Sequence, residues 1–529
     1  MTPLEYVWAG VLAVFQGPEL FSLLGLPISV TVVMILGGFL LGIAVGATPG
    51  LAGPIAMAIS LPVLISVFGF TPDALLPVMG FLIGIMKGAT IGGAVPAILF
   101  NTPGTPDAYL TTLDGYPMTK AGQARKALKV AHFSSASGDT FSDIVLIVCA
   151  PFLAILVEGY LDLPEKTALL ILSLSFIAAA VGGSVAKGLI STGLGLLVAY
   201  IGTGQDFYPR LSLGTDALND GIPLTAAVLG VLIIGAVFKE LSEVWYQGVH
   251  EAGARDVAEV KDQRLRMRDI RRIFPYIARS ALIGTGIGAL PGIGSTLAAT
   301  LGYTVGKRRH ERHRGSGDPK FGQGAMEGVA ATEAANSSVS GANLIPVLSL
   351  GIPGNTAAVF LILAAESIGG FNPGPSVFRF STEIVNPELV VAFGLFTCMM
   401  LANVMNWTIG GLFMRSMGIM THVPRQILMP VVLMLTLTAI YVQETSMTAV
   451  WFTLVFGLLG YGMRLLGVSP LPFVIAFILG GRIEQSAREA FAATGGDAFF
   501  LITNPIAATF MALSIIVIFA ANRRKGHTE

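Results

Sequence analysis

The stretch Gly46-Ala47-Thr48-Pro49-Gly50-Leu51-Ala52-Gly53 decides the fold, because it returns as Gly288-Ala289-Leu290-Pro291-Gly292-Ile293-Gly294-Ser295. A second break repeats in the same way. Pro96 through Pro103-Gly104-Thr105 returns as Pro346 through Pro353-Gly354-Asn355-Thr356. All four lie in strongly apolar sequence. Proline and glycine break helices and free backbone N–H and C=O groups. Lipid cannot satisfy those groups, so broken backbone at membrane depth persists only where protein or water covers it. Matching pairs of breaks in two halves of a chain point to a binding site in a transporter.

Composition agrees. The chain has 529 residues, 53% of them hydrophobic and 12% charged, with a mean hydropathy of +0.74. Soluble domains carry about 25% charged residues, so a polytopic membrane protein is expected. The fold class expected is all-α, with about 12 transmembrane segments. The apolar stretches include 28–47, 144–157, 167–181, 224–238, 426–442 and 498–520. The shorter ones need their flanks to span, or are half-helices. A formal net charge of zero implies no bulk attraction to nucleic acid. Cys149 and Cys398, 249 positions apart in apolar runs, read as packing residues rather than a disulfide or a metal site. No basic residue precedes the first apolar run, so a cleaved signal peptide is not expected.

The register of the breaks implies duplication. Gly46 to Gly288 is an offset of 242, whereas Pro96 to Pro346 and Pro103 to Pro353 are both offsets of 250. The difference fits the longer basic loop after Gly306. Gly80, Gly84, Gly88 and Gly92 form a four-residue ladder, and the positions 250 further on are Ala330, Ala334, Ser338 and Ala342. Small residues at that spacing let another helix backbone approach closely. The expected organisation is a first repeat at 1–240, a polar cytoplasmic linker at 241–275 and a second repeat at 276–529.

Charge sets the expected orientation. Residues 1–86 contain no Lys or Arg. The equivalent element of the second half is flanked by Arg255, Lys261, Arg264, Arg266, Arg268, Arg271, Arg272 and Arg279, then by Lys307, Arg308, Arg309, Arg312, Arg314 and Lys320. After the second break the bias reverses. Lys120, Arg125, Lys126 and Lys129 follow it in the first half, and only Arg379 in the second. Short basic loops stay cytoplasmic. The halves are therefore expected to be inverted repeats, each with Pro-Gly-broken helical hairpins, and Arg523, Arg524 and Lys525 place the carboxyl terminus in the cytoplasm.

The expected substrate site joins Asn101, Thr102, Pro103, Gly104 and Thr105 to Pro353, Gly354, Asn355 and Thr356. Half-helix amino termini offer N–H groups and positive dipole to a carboxylate, and unwound carbonyls suit Na⁺. Thr48, Pro49 and Gly50 with Pro291, Gly292 and Ser295 form a second pair of breaks, shaping the same cavity or a cation site. Ordinary interfacial loops are the competing reading for each. Within Glu327 to Asn343, Thr332, Asn336 and Ser340 share a helix face, which marks a cavity or a helix contact. Glu333 is the residue expected to handle a cation or proton. Lys87, alone in the glycine ladder, pairs with a substrate carboxylate, with Asp107 or with Asp73, or snorkels to the interface. His132, Asp139 and Asp143 read as a solvated helix start in preference to a proton relay.

No enzyme signal survives. Gly284-Thr285-Gly286-Ile287-Gly288 lacks the spacing of a dinucleotide loop, and His310-Glu311-Arg312-His313 lacks that of a zinc protease helix. There is no P-loop. No catalytic residue, cofactor or resident metal is expected, Na⁺ as a coupling ion aside.

At these residues the chain resembles the large membrane subunit of the tripartite tricarboxylate transporter family, over nearly its whole length. The carriers are Gly46 to Gly50, Phe100 to Thr105, and Asp114-Gly-Tyr-Pro-Met118 with Lys120 and Gly122. The second half adds Gly288 to Gly294, Glu327 to Asn336, Gly351 to Asn355, Phe477 to Gly480, Glu484 and Arg488. The resemblance implies a secondary transporter of bacterial inner membranes. Its partners would be a small four-helix membrane subunit and a periplasmic solute-binding protein. It would import carboxylates by Na⁺ or H⁺ symport, with an elevator-like movement by analogy. A stand-alone permease or channel for organic anions is the alternative, and an intramembrane enzyme a third.

Overall fold

A computed structural model of the chain describes residues 2–23, 26–48, 51–181, 184–203, 208–247, 263–313, 318–380, 385–417 and 425–525. Pro49, Gly50, Arg255, Lys261 and Arg314 therefore lie outside the described residues. The first half holds α1 (Pro3–Phe15), α2 (Val30–Gly46), α3 (Gly53–Phe68), α4 (Leu75–Gly92), α5 (Ala94–Phe100) and α6 (Tyr109–Lys120). It continues through α7 (Ala124–Tyr160), α8 (Leu163–Ala180), α9 (Val185–Ala199), α10 (Leu224–Leu229) and α11 (Gly235–Gln247). The second half opens with α12 (Met267–Gly288), α13 (Gly294–His313), α14 (Met326–Ala342), α15 (Leu344–Leu350), α16 (Thr356–Ile368) and α17 (Pro387–Met405). It closes with α18 (Gly411–Ser416), α19 (Arg425–Glu444), α20 (Met447–Leu465), α21 (Pro470–Ala493), α22 (Phe500–Thr503) and α23 (Pro505–Lys525). Two short antiparallel hairpins, β1 (Glu19–Leu23) with β2 (Leu26–Ser29) and β3 (Gly202–Thr203) with β4 (Pro209–Arg210), are the strands among the described residues.

The protein is an all-α polytopic membrane protein. Eight of the described helices are long and apolar enough to cross a bilayer, and five shorter apolar helices accompany them. Large apolar side chains point outward from several: Ile144, Val148 and Phe152 on α7, Trp451 and Val455 on α20, and Ile516 and Phe519 on α23. In water such a surface would be costly; against acyl chains it is matched.

The interior is organised by small residues. The ladder on α4 faces α2, and the two backbones touch. A Cβ at Gly84 would lie 2.5 Å from the Ile35 carbonyl oxygen and 2.6 Å from the Phe39 nitrogen. A Cβ at Gly42, on the partner helix, would meet the Ile85 carbonyl oxygen at 2.5 Å. α14 is buried from Glu327 to Ala342 without interruption. Its alanines and serines admit α7, α12 and α13 on different sides. Gly138 of α7 sits on the backbone of Ala334, Gly284 of α12 on that of Ala335, and Gly302 of α13 on the Ala335 side chain. Close crossing of this kind is what small residues allow in membrane helices.

Matching breaks take matching shapes. α5 and α15 are each seven residues long, and each ends on a left-handed residue, Asn101 (φ 56°) and Gly351 (φ 72°). Those positions are 250 apart, and Asn and Gly are the residue types that tolerate this conformation. Within each half the two breaks touch. Gly104 packs on the Gly46 carbonyl with its N–H on the Gly93 carbonyl, and the Gly292 N–H donates to the Gly354 carbonyl at 2.9 Å.

One carboxylate ties the halves together. Asp114 on α6 accepts from the backbone N–H groups of Gly322 (2.8 Å), Gly324 (3.0 Å) and Ala325 (2.9 Å), and from the Tyr303 hydroxyl (3.0 Å). This fixes the loop that leads into α14. Nearby, Lys126 pairs with Asp269 at 3.0 Å, and the Arg125 N–H donates to Gln263 at 2.8 Å. The basic loop of the first half thus lies against the basic approach to α12.

Candidate functional site

The four breaks converge on one cavity of about 260 Å³. It is lined by the starts of three helices: Ala52, Gly53 and Pro54 at α3, Gly294, Ser295 and Thr296 at α13, and Asn355, Thr356 and Ala357 at α16. Thr105 and Asp107, which lead into α6, complete the polar rim, and Thr90, Asn336, Ser340 and Asn343 come from α4, α14 and the α14–α15 junction. Each helix start exposes N–H groups that have no partner within the helix. Aligned peptide dipoles add positive potential at the same point. At α16 part of this is used, because the Asn355 side chain accepts from Ala358 N–H at 2.8 Å.

Two side chains are left open. The Nδ2 of Asn336 and both polar atoms of the Asn343 amide are buried without a hydrogen-bond partner. Asn336 is 3% exposed and Asn343 1%. Burying such a group unbonded costs about 1–3 kcal/mol. Among the described residues Asp107 is the charged group in the lining. It accepts from the Thr296 hydroxyl at 2.5 Å, which joins the first-half break to the second. Among the described residues no lysine or arginine is in the lining.

The residues singled out in sequence divide into three groups. Thr105, Ser295, Asn336, Asn355 and Thr356 line the cavity. Asn101, Thr102, Pro103, Gly104, Pro291, Gly292, Pro353 and Gly354 build the turns behind it, and Gly354 approaches the Asn343 amide, where a Cβ would be 3.0 Å from Oδ1. Thr48 turns inward to bond the Ala44 carbonyl at 2.9 Å. Glu333 lies away from the lining, buried beside α6 and taking a hydrogen bond from the Thr111 hydroxyl.

Lys87 requires correction. It faces neither the cavity, Asp73, Asp107 nor the interface. Its ammonium donates to Asp139 Oδ1 at 2.8 Å and Asp143 Oδ2 at 2.6 Å, with Asn403 Oδ1 at 3.3 Å. The expectation of a solvated helix start fails for the same reason. Asp139 and Asp143 sit one turn apart on the buried face of α7, a continuous helix of 37 residues. Their i, i+4 spacing was the available signal. Asn343 was marked as the end of the polar stretch 327–343, whereas Thr90 carried no sequence mark beyond lying near the breaks. Lys187 is also occupied, donating to the Leu466 carbonyl at 2.6 Å.

The family described as "Tripartite tricarboxylate transporter TctA family" matches residues 32–475. A protein of Agrobacterium vitis, "Uncharacterized 52.8 kDa protein in TAR-I ttuC' 3'region", is 31% identical over 499 residues, covering 93% of each chain. A second from that organism, "Uncharacterized protein in TAR-II ttuC' 3'region", is 30% identical over 242 residues, 45% of this chain and 93% of its own length. No solved structure matches the chain. A match of this extent settles membership: the chain belongs to the TctA family, the large membrane subunit of the tripartite tricarboxylate transporter.

Proposed function

We propose that the cavity between the breaks is where a small carboxylate crosses the membrane, and that the chain imports such acids by symport with H⁺ or Na⁺. The observation that carries this reading is the meeting of three helix amino termini, from both halves, around buried amides with no partner of their own. Backbone N–H groups and dipoles bind a carboxylate without a fixed cation. Asp107 gives the lining one negative charge, so an anion enters with a cation or proton beside it. A volume of about 260 Å³ suits a small acid.

The remaining parts of the reading follow the family and the charge pattern. The halves 1–240 and 276–529 are inverted repeats joined by a cytoplasmic linker at 241–275. The contact of Lys126 with Asp269, which puts the two basic loops on one side, supports this arrangement. The chain lies in a bacterial inner membrane with its carboxyl terminus in the cytoplasm. It works with a small four-helix membrane subunit and receives its substrate from a periplasmic solute-binding protein. It is a transporter and not an enzyme.

The test is uptake of radiolabelled citrate, succinate and an aromatic acid into membrane vesicles holding the chain and its small subunit, with and without added binding protein. Asn343→Leu keeps the branched shape and heavy-atom number of the asparagine side chain and removes both open polar atoms. It is expected to remain in the membrane and to lose at least tenfold in uptake. Wild-type uptake by the Asn343→Leu variant would refute the assignment of the cavity.

A further inference from the structure

We propose that the Lys87–Asp139–Asp143 cluster is the proton-carrying site of this transporter, with Asp143 as the group that takes the proton; this rests on the transport reading above. Four helices build the cluster. α4 supplies Lys87, α7 supplies Asp139 and Asp143, α17 supplies Asn403 and α14 supplies Ser340. The side chains of Lys87, Asp139 and Asp143 are 0%, 4% and 0% exposed.

The charges do not balance. One ammonium faces two carboxylates, which leaves one negative charge among buried helices. An uncompensated charge in that setting costs several kcal/mol. Asp143 shows where the compensation belongs. Its Oδ2 is filled, accepting from Lys87 at 2.6 Å and from Asn403 Nδ2 at 2.7 Å. Its Oδ1 is buried and has no partner. That oxygen lies against Gly341, where any Cβ would collide with it. Facing Asp143 are Lys87 from α4 and Asp139 from its own helix. α14 and α17 present only neutral groups there, Ser340 and Gly341 from the first and Asn403 from the second.

A proton fits better than a metal cation. The Lys87 ammonium already sits within 2.8 Å of both carboxylates and would repel a second fixed cation. Nor do the described residues contain a group of three or more metal-binding side chains. A proton needs only the open oxygen and a route to it. Ser340 supplies the route, because it lines the cavity and its hydroxyl donates to Asp139 Oδ1. A hydronium in the cavity gives its proton to Ser340 Oγ, whose own proton passes to Asp139. Lys87 takes that proton as it releases one to Asp143 Oδ2, the oxygen it faces, and a half-turn of the new carboxylic group then exchanges the protonated oxygen with the open one. At each hop one O–H or N–H bond breaks as the next forms. The net change is hydronium to water and Asp143 carboxylate to carboxylic acid, and the reverse sequence discharges it.

The test uses right-side-out membrane vesicles holding the chain with its small membrane subunit, with binding protein added, radiolabelled citrate as probe and a pH-sensitive dye inside. Wild-type vesicles should acidify as citrate enters and should accumulate it when an inward proton gradient is imposed. Asp143→Asn keeps the shape, leaves a one-to-one ion pair, and should continue citrate-for-citrate exchange while losing at least tenfold in gradient-driven accumulation. Asp143→Glu should regain part of it. Wild-type uptake without acidification would overturn the proposal whatever becomes of the variants, and so would undiminished proton-driven accumulation by Asp143→Asn. Wild-type vesicles that exchange no probe acid would overturn the transport reading itself.

Discussion

Methionine in place of Lys87 keeps the unbranched stem and deletes the ammonium. Two charge-assisted bonds disappear, at 2.8 Å to Asp139 and 2.6 Å to Asp143, each worth about 1.5–3 kcal/mol. The 3.3 Å contact to Asn403 adds little, since Asn403 keeps its own bond to Asp143. The sum, about 3–6 kcal/mol, agrees with the cost of about 3–5 kcal/mol for breaking a buried pair. At 1.4 kcal/mol per decade, Lys87→Met should shift the folding ratio by roughly two to four decades. The triple variant, Lys87→Met with Asp139→Asn and Asp143→Asn, removes the stranded charges and should regain most of the loss. Unfolding in mixed micelles, followed by tryptophan fluorescence, measures both. A loss below about 1 kcal/mol in the single variant would refute the electrostatic reasoning. A triple variant no more stable than the single one would locate the effect in packing instead.

Other expectations follow from the same contacts. Gly84→Ala places a Cβ 2.5 Å from the Ile35 carbonyl oxygen and should cost about 1–3 kcal/mol, read as a lower melting temperature in detergent. Gly104→Ala and Gly354→Ala should differ. The first drives a Cβ into backbone, 3.0 Å from Gly93 Cα, and lowers folded yield; the second meets the Asn343 side chain at 3.0 Å, folds, and lowers citrate uptake. Equal yields with equal uptake would contradict both. Asp114→Ala strands three backbone N–H groups and the Tyr303 hydroxyl, for an expected loss of about 3 kcal/mol. Limited proteolysis should then cut the chain near 318–325, and an uncut loop would count against the tie.

Local chemistry made the breaks legible. Proline and glycine in apolar sequence have few interpretations, and two offsets of 250 put the breaks in register; the matching left-handed caps at Asn101 and Gly351 were not read from them. The ladder at Gly80 to Gly92 was equally readable as a close-packing face, although its partner, α2, was not. The ion cluster was hidden for a different reason. Lys87 meets Asp139, Asp143 and Asn403 across 52, 56 and 316 residues of chain, and nothing local encodes such a meeting. Nor did the polar opening of α7 announce its burial. Residues 124–143 carry enough charge to read as solvated, yet tertiary packing encloses most of that face. Glu333 drew attention as an acid in a polar helix; that helix is buried on all sides, and the carboxylate takes the Thr111 hydrogen bond outside the cavity lining, with its Oε2 buried and without a partner.

The glycine contact between α2 and α4 has a mechanical consequence. Where side chains interdigitate, two helices can slip by exchanging rotamers; where main chain rests on main chain, there is nothing to rearrange. α2 and α4 are therefore joined as one girder. Because Gly53 and Thr90 of the cavity lining, and behind it the ammonium of Lys87, are mounted on or beside that girder, whatever displaces it carries one wall of the cavity and the buried ion cluster's cation together. Leu471, which reaches the lining from the distant helix α21, belongs to the surface that the girder would slide past.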